Sequence, residues 1–97
     1  MNEGNRTQLC LIDEGISSIH DLKLDPKLTV LNLHCNRIHQ IENLLFLNRL
    51  YHLDLSSNCI TQISGLDSLV SLRVLNLACN KIELVENLQN LRSVKLL

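Results

Sequence analysis

The chain has 97 residues, 45% of them hydrophobic but only 2% aromatic, with 9 basic and 10 acidic side chains giving a net charge of −1. That length supports one domain at most, and with Phe46 and Tyr51 as its only large rings the core has to be built from Leu, Ile and Val. Balanced, scattered charge argues against a basic nucleic-acid patch or a polybasic membrane anchor, and no apolar run nears the ~20 residues of a membrane-spanning helix.

In chain order, residues 1–5 read as a polar tail, and "MNEGNRTQ" lacks the apolar stretch of a secretory signal. From residue 6 onward the sequence repeats itself. Leu28-Thr-Val-Leu-Asn-Leu-His-Cys-Asn-Arg-Ile38 aligns with Leu50 to Ile60 and again with Leu72 to Ile82, always at a step of 22. The second half repeats too: Ile41, Leu44 and Leu47 match Ile63, Leu66 and Leu69, then Val85, Leu88 and Leu91. These are units 28–49, 50–71 and 72–93. A degenerate first unit, 6–27, carries Leu9, Leu11, Ile16, Ile19 and Leu22 but has Glu14 where Asn is expected and Asp25 where Leu is expected. A fifth unit opens at 94–97, where Val94 and Leu97 fall on the first leucine positions. An array with apolar residues at its end is expected to be the front of a longer chain or a truncated product, because solenoids close with polar capping repeats.

The spacing predicts the shape of each unit. The L-x-L portion alternates with period two, as a short strand does. After the Asn, apolar residues recur every third position, which suits 3₁₀ turns, where i and i+3 eclipse, better than an α-helix. Each unit is a coil of strand, bend and return leg that cannot bury its apolar ridge alone. Stacked coils form an α/β solenoid, with short parallel strands on the concave face and 3₁₀ or irregular turns on the convex face. Asn36, Asn58 and Asn80 sit where the chain leaves the strand. Buried backbone groups at such a bend need partners, and an amide can both donate and accept, so these residues are expected to form a structural ladder.

The full pattern, L-x-x-L-x-L-x-x-N-x-I-x-x-I-x-x-L-x-x-L, resembles the leucine-rich repeat, and the 22-residue length resembles the class typified by a protein-phosphatase-1 regulatory subunit. The resemblance spans residues 6–97. The opening units, "LCLIDEGISSIHDLKLDPKLTVLNLHCNRI" and "LYHLDLSSNCITQI", are also similar to the N-terminal repeats of centrosomal leucine-rich repeat and coiled-coil proteins. In those a short array precedes a long coiled coil, a segment missing from these 97 residues. That likeness implies a non-catalytic docking module in the cytoplasm, at centrosomes, centrioles or spindle poles. The 22-residue class also implies an alternative, an adaptor for a phosphatase catalytic subunit or an axonemal motor chain.

Residues capable of chemistry do not assemble in the sequence. Cys10, Cys35, Cys59 and Cys79, spaced by 25, 24 and 20, contain no C-x-x-C pair and fall at three different repeat positions. They read as reduced thiols filling small, semi-buried slots. Only Cys35 and Cys79 share a position, about 10 Å apart across two coils, too far for a common zinc. His34 and Cys35 are neighbours on an extended segment, point to opposite faces and make a poor base–nucleophile pair. Gly4, Gly15 and Gly65 are isolated and form no phosphate loop. No catalytic residue, cofactor, metal, nucleic-acid, membrane or small-molecule partner is therefore expected. What remains is the concave face and a protein partner. Its outward columns are Gln8, Val30, His52, Val74; then Cys10, Asn32, Asp54, Asn76; then Ile12, His34, Ser56, Ala78. The contact residues expected from them are Val30, Asn32, His34, His52, Asp54, Ser56, Val74 and Asn76.

Overall fold

The computed structural model describes residues 7–91 and 93–97; the polar tail 1–5, Arg6 of the first unit and Arg92 of the fourth lie outside them. Each L-x-L segment forms a short strand: β1 (Gln8–Cys10), β2 (Val30–Asn32), β3 (His52–Asp54), β4 (Val74–Asn76) and β5 (Lys95–Leu96). They form one parallel sheet in the order β1-β2-β3-β4-β5. The sequence repeat is the pairing register. Gln8 lies opposite Val30, Val30 opposite His52 and His52 opposite Val74, so the core leucines Leu9, Leu31, Leu53 and Leu75 stack in one file. The chain is a leucine-rich repeat solenoid.

The spacing of three has a direct backbone cause in the second half of the return leg. Leu47 donates its N–H to the Leu44 carbonyl and Leu50 to Leu47; Leu69 and Leu72 do the same with Leu66 and Leu69, and Leu91 with Leu88. Leu47 and Leu69 thus each close one i→i+3 turn and open the next, holding consecutive leucines of the second half of the return leg on the inner side. One stretch, Ile19–Asp21, is a regular 3₁₀ helix.

Burial grades along the stack. Leu31, Leu33, Ile38, Leu44 and Leu47 of the second coil are fully buried, as are Leu53, Leu55, Ile60, Leu66 and Leu69 of the third. In the first coil Leu9, Leu11, Ile16 and Leu22 are only half-buried, since a coil is lined on just one side there. Three positions depart from the repeat pattern. Val85 shares a position with Ile41 and Ile63, which are 2% exposed, yet is itself 68% exposed; no described coil lies beyond it. Asp25 holds the backbone turn, accepting the Leu28 N–H, while the neighbouring Leu24, 8% exposed, supplies the buried side chain. In the last pairing Val74 faces Lys95 and Leu75 faces Leu96, a step of 21, so Val94 and Leu97 are not the partners of Leu72 and Leu75 that the arithmetic of 22 suggests. Through this pairing Leu96 continues the inward file of Leu75, and with no described coil beyond β5 to cover them Leu96 and Leu97 are 39% and 50% exposed.

Candidate protein-binding surface

The bend after each strand is built the same way in every coil. Asp13, Cys35, Ser57 and Cys79 occupy one repeat position, and all have positive φ, between 55° and 62°. That left-handed residue turns the chain out of the sheet, a conformation non-glycine residues adopt only when the surroundings impose it. The ladder asparagine that follows supplies the constraint. Asn58 Nδ2 donates to the carbonyls of Leu33, Leu55 and Ser56 at 3.0, 3.0 and 3.1 Å, and its Oδ1 accepts the Ile38 N–H at 3.0 Å. Asn36 reaches Leu11, Leu33 and His34 in the same manner, and Asn80 reaches Leu55, Leu77 and Ala78. Where Glu14 replaces the first ladder Asn, its own N–H donates to Asn36 Oδ1 at 3.0 Å, so the column begins at the second coil.

A second column lies on the return leg, and the sequence reading missed it. Asn43 and Asn87, with φ of 60° and 59°, donate Nδ2 to the Ile19 and Ile63 carbonyls at 3.2 and 2.7 Å. Gly65 holds the same position in the coil between them at φ +72°, where a Cβ would meet the Ile41 carbonyl oxygen at 2.6 Å. The signal was legible: Asn, Gly and Asn at a step of 22 are the residue types that best tolerate the left-handed region.

These bends flank the concave face. Its first column presents Val30, His52 and Val74, each half-buried, beside an exposed Gln8. In the second column the side chains turn back on their own backbone. Asn32 Oδ1 accepts the His34 N–H at 3.0 Å, Asp54 Oδ1 the Ser56 N–H at 2.9 Å and Asn76 Oδ1 the Ala78 N–H at 3.0 Å. Each is an Asx turn that ends a strand, which commits one side-chain oxygen of Asn32, Asp54 and Asn76 to structure, while Cys10 at the head of the column is exposed.

The third column requires a correction. Ser56, expected as a contact residue, is 6% exposed, because its hydroxyl is tied to side chains of two coils. It donates to Asp54 Oδ1, and His34 Nδ1 lies 2.7 Å from its oxygen. With the hydroxyl proton directed at the carboxylate, the oxygen accepts from the imidazole, so Nδ1 carries the proton. In a serine nucleophile the imidazole instead takes the hydroxyl proton and the carboxylate orients the imidazole. Here the order is His–Ser–Asp and the hydroxyl is buried; the three groups brace neighbouring coils. Cys35 stands outside this chain, at the bend. The cysteines also correct the sequence reading: Cys10, Cys35 and Cys79 are exposed and only Cys59 is partly buried, all four as free thiols. The two at the bend are held outward by their left-handed backbone. Among the described residues no three His, Cys, Asp or Glu side chains gather as a metal site.

Residues 26–82 match the family model described as leucine rich repeat. The chain is 49% identical over 46 residues to a protein named leucine-rich repeat and coiled-coil domain-containing protein 1 from Homo sapiens, and 53% identical over 46 residues to one of the same name from Xenopus laevis. Each of these matches covers 47% of this chain and 4% of the relative. Among solved structures, an internalin (inlF) from Listeria monocytogenes superposes over 93% of this chain and 27% of its own with a TM-score of 0.85 at 35% identity. A second Listeria internalin, C2, gives 0.84 at 26% identity over 93% of this chain and 40% of its own. Strand register, asparagine ladder and family match agree, and the chain belongs to the leucine-rich repeat family.

Proposed function

We propose that the chain is a non-catalytic docking module that presents its concave sheet to a protein partner, within a cytoplasmic protein that organises centrosomes, centrioles or spindle poles. The observation that carries the docking reading is the arrangement of the concave face. Rigid parallel strands hold Val30, His52 and Val74 as a half-exposed file, apolar beside polar, as the core of an interface is built. Beside it, the groups that could have done chemistry, His34, Ser56 and Asp54, are bonded to one another. The centrosomal setting rests on the resemblance to the vertebrate leucine-rich repeat and coiled-coil proteins.

Proximity labelling in dividing cells tests both parts. The chain should label proteins of the centriole or spindle pole, and His52→Ala with Val74→Ala should abolish that labelling while the thermal melt of the purified variant remains cooperative. Labelling that survives the double substitution removes the concave face from the reading. Labelling of another compartment removes the centrosomal setting.

A further inference from the structure

The last strand of the sheet is bonded on one side and bare on the other. Successive residues of a strand point their backbone groups alternately toward its two neighbours. Lys95 donates its N–H to the Arg73 carbonyl at 2.7 Å, while Leu97 donates to Leu75 and accepts from Leu77, both at 2.9 Å. Both residues are therefore spent on β4. Leu96, between them, directs its N–H and C=O the other way, and no described strand lies there to meet them. Its side chain, in the inward file with Leu75, is 39% exposed. With Val85 and Leu97 it walls an open apolar groove of about 290 Å³, floored by Ile63, Leu77 and Ile82. Leu84, next to Val85, is 61% exposed. The neighbouring charges are Lys81, Glu83, Glu86 and Lys95, two of each sign, so two such ends meet without net repulsion.

Two copies of one edge can join in two ways. A parallel join turns one copy about an axis along the strands and puts its apolar interior on the face opposite the other's. An antiparallel join turns it about an axis normal to the sheet and keeps both interiors on one side. Only the second join covers the groove. It also matches the backbone, because an antiparallel hydrogen-bonded pair is two residues that exchange both N–H···O=C bonds, and Leu96 offers one of each. The two Leu96 side chains then lie side by side, with the two grooves facing across them. We propose that the β5 edge and this groove bind a second copy of the same chain, as a two-fold dimer centred on Leu96. The contact is isologous and closed. It forms one ten-stranded sheet whose two concave faces look the same way, so a partner with two copies of its docking segment gains avidity. One edge and one groove make a small interface, and the dissociation constant should be on the order of 10–100 μM.

The test is sedimentation equilibrium of the 97-residue chain across the micromolar range and up to about 1 mM. The mass should rise reversibly to twice that of the monomer and stop there. Leu96→Pro removes the outward N–H without touching a bond of the sheet, the place where an edge strand tolerates proline, and should weaken association at least about tenfold. Val85→Arg sets a charge in the groove from a position already 68% exposed. It should weaken association as much while the thermal melt stays cooperative, so the reading does not depend on how the proline variant folds. Leu45→Arg, the same kind of change at a 61% exposed site in the second coil, should leave association within about twofold. The Leu96 amide should exchange more slowly in concentrated than in dilute solution. A monomer at every concentration overturns the proposal, as does equal loss with Leu45→Arg or a Leu96 amide indifferent to concentration. A series of ever larger oligomers overturns it too, since it would mean that copies stack head to tail from β5 to β1.

Discussion

At the scale of single residues, stability turns on a few atoms at the two bends. Asn58, 7% exposed, serves the Leu33, Leu55 and Ser56 carbonyls and the Ile38 N–H. Asn58→Ala should lower unfolding free energy by about 1–3 kcal/mol, the cost of stranding buried polar groups, read as a fall in the urea midpoint. Asn58→Asp should fall at least as far, since it keeps an acceptor but sets a carboxylate against carbonyl oxygens. An unchanged midpoint in both would remove the ladder from the account of stability. Gly65 makes the complementary case, where an atom is excluded. Its backbone is left-handed and its missing Cβ would lie 2.6 Å from the Ile41 oxygen. Gly65→Ala should therefore cost about 2 kcal/mol or more, combining backbone strain with displacement of the second coil. Asn at the same site should not rescue it, although Asn43 and Asn87 stand in equivalent positions, because the obstacle is the Cβ they share.

At the scale of the coil, energy follows the number of neighbours rather than residue type. Leu53 is fully buried between two strands, whereas Val85, a member of the same repeat pattern, is 68% exposed. Leu53→Ala should cost about 2–5 kcal/mol as a cavity opens in the stack; Val85→Ala should stay within about 0.5 kcal/mol. Parallel urea titrations of the two variants decide it, and equal losses would mean that burial between neighbouring coils does not set the energy. This contrast marks what could be read in advance. A step of 22 is visible in the letters and carries strand positions, register and the inward file of leucines, because all are properties of one coil repeated. Burial of Ser56 was not visible, since the groups that hold its hydroxyl include His34 from the preceding coil. Exposure of Cys35 and Cys79 was not visible either, because it follows from a left-handed backbone rather than from the affinity of a thiol for apolar surroundings.

At the scale of the whole molecule, a stack in which every coil touches only its neighbours has its stability distributed along one axis. The second and third coils hold fully buried leucines; the first buries Ile19 and Leu24 but leaves Leu9, Leu11, Ile16 and Leu22 half-buried, and the fourth gives way to an exposed Val85 and to a β5 paired on one side. Opening should therefore begin at the ends and reach the middle last. Native-state hydrogen exchange tests this through the amides that bridge coils. Those of Tyr51 to Thr29 and Cys59 to Ile38 join the second and third coils and should exchange only through global unfolding, following its dependence on urea. Lys95 to Arg73 and Leu97 to Leu75 should exchange through a smaller opening with a weak urea dependence, and Thr29 to Thr7 should lie between. A single protection free energy for all five amides would show that the array unfolds as one unit, with coupling between coils strong enough to erase the difference in burial.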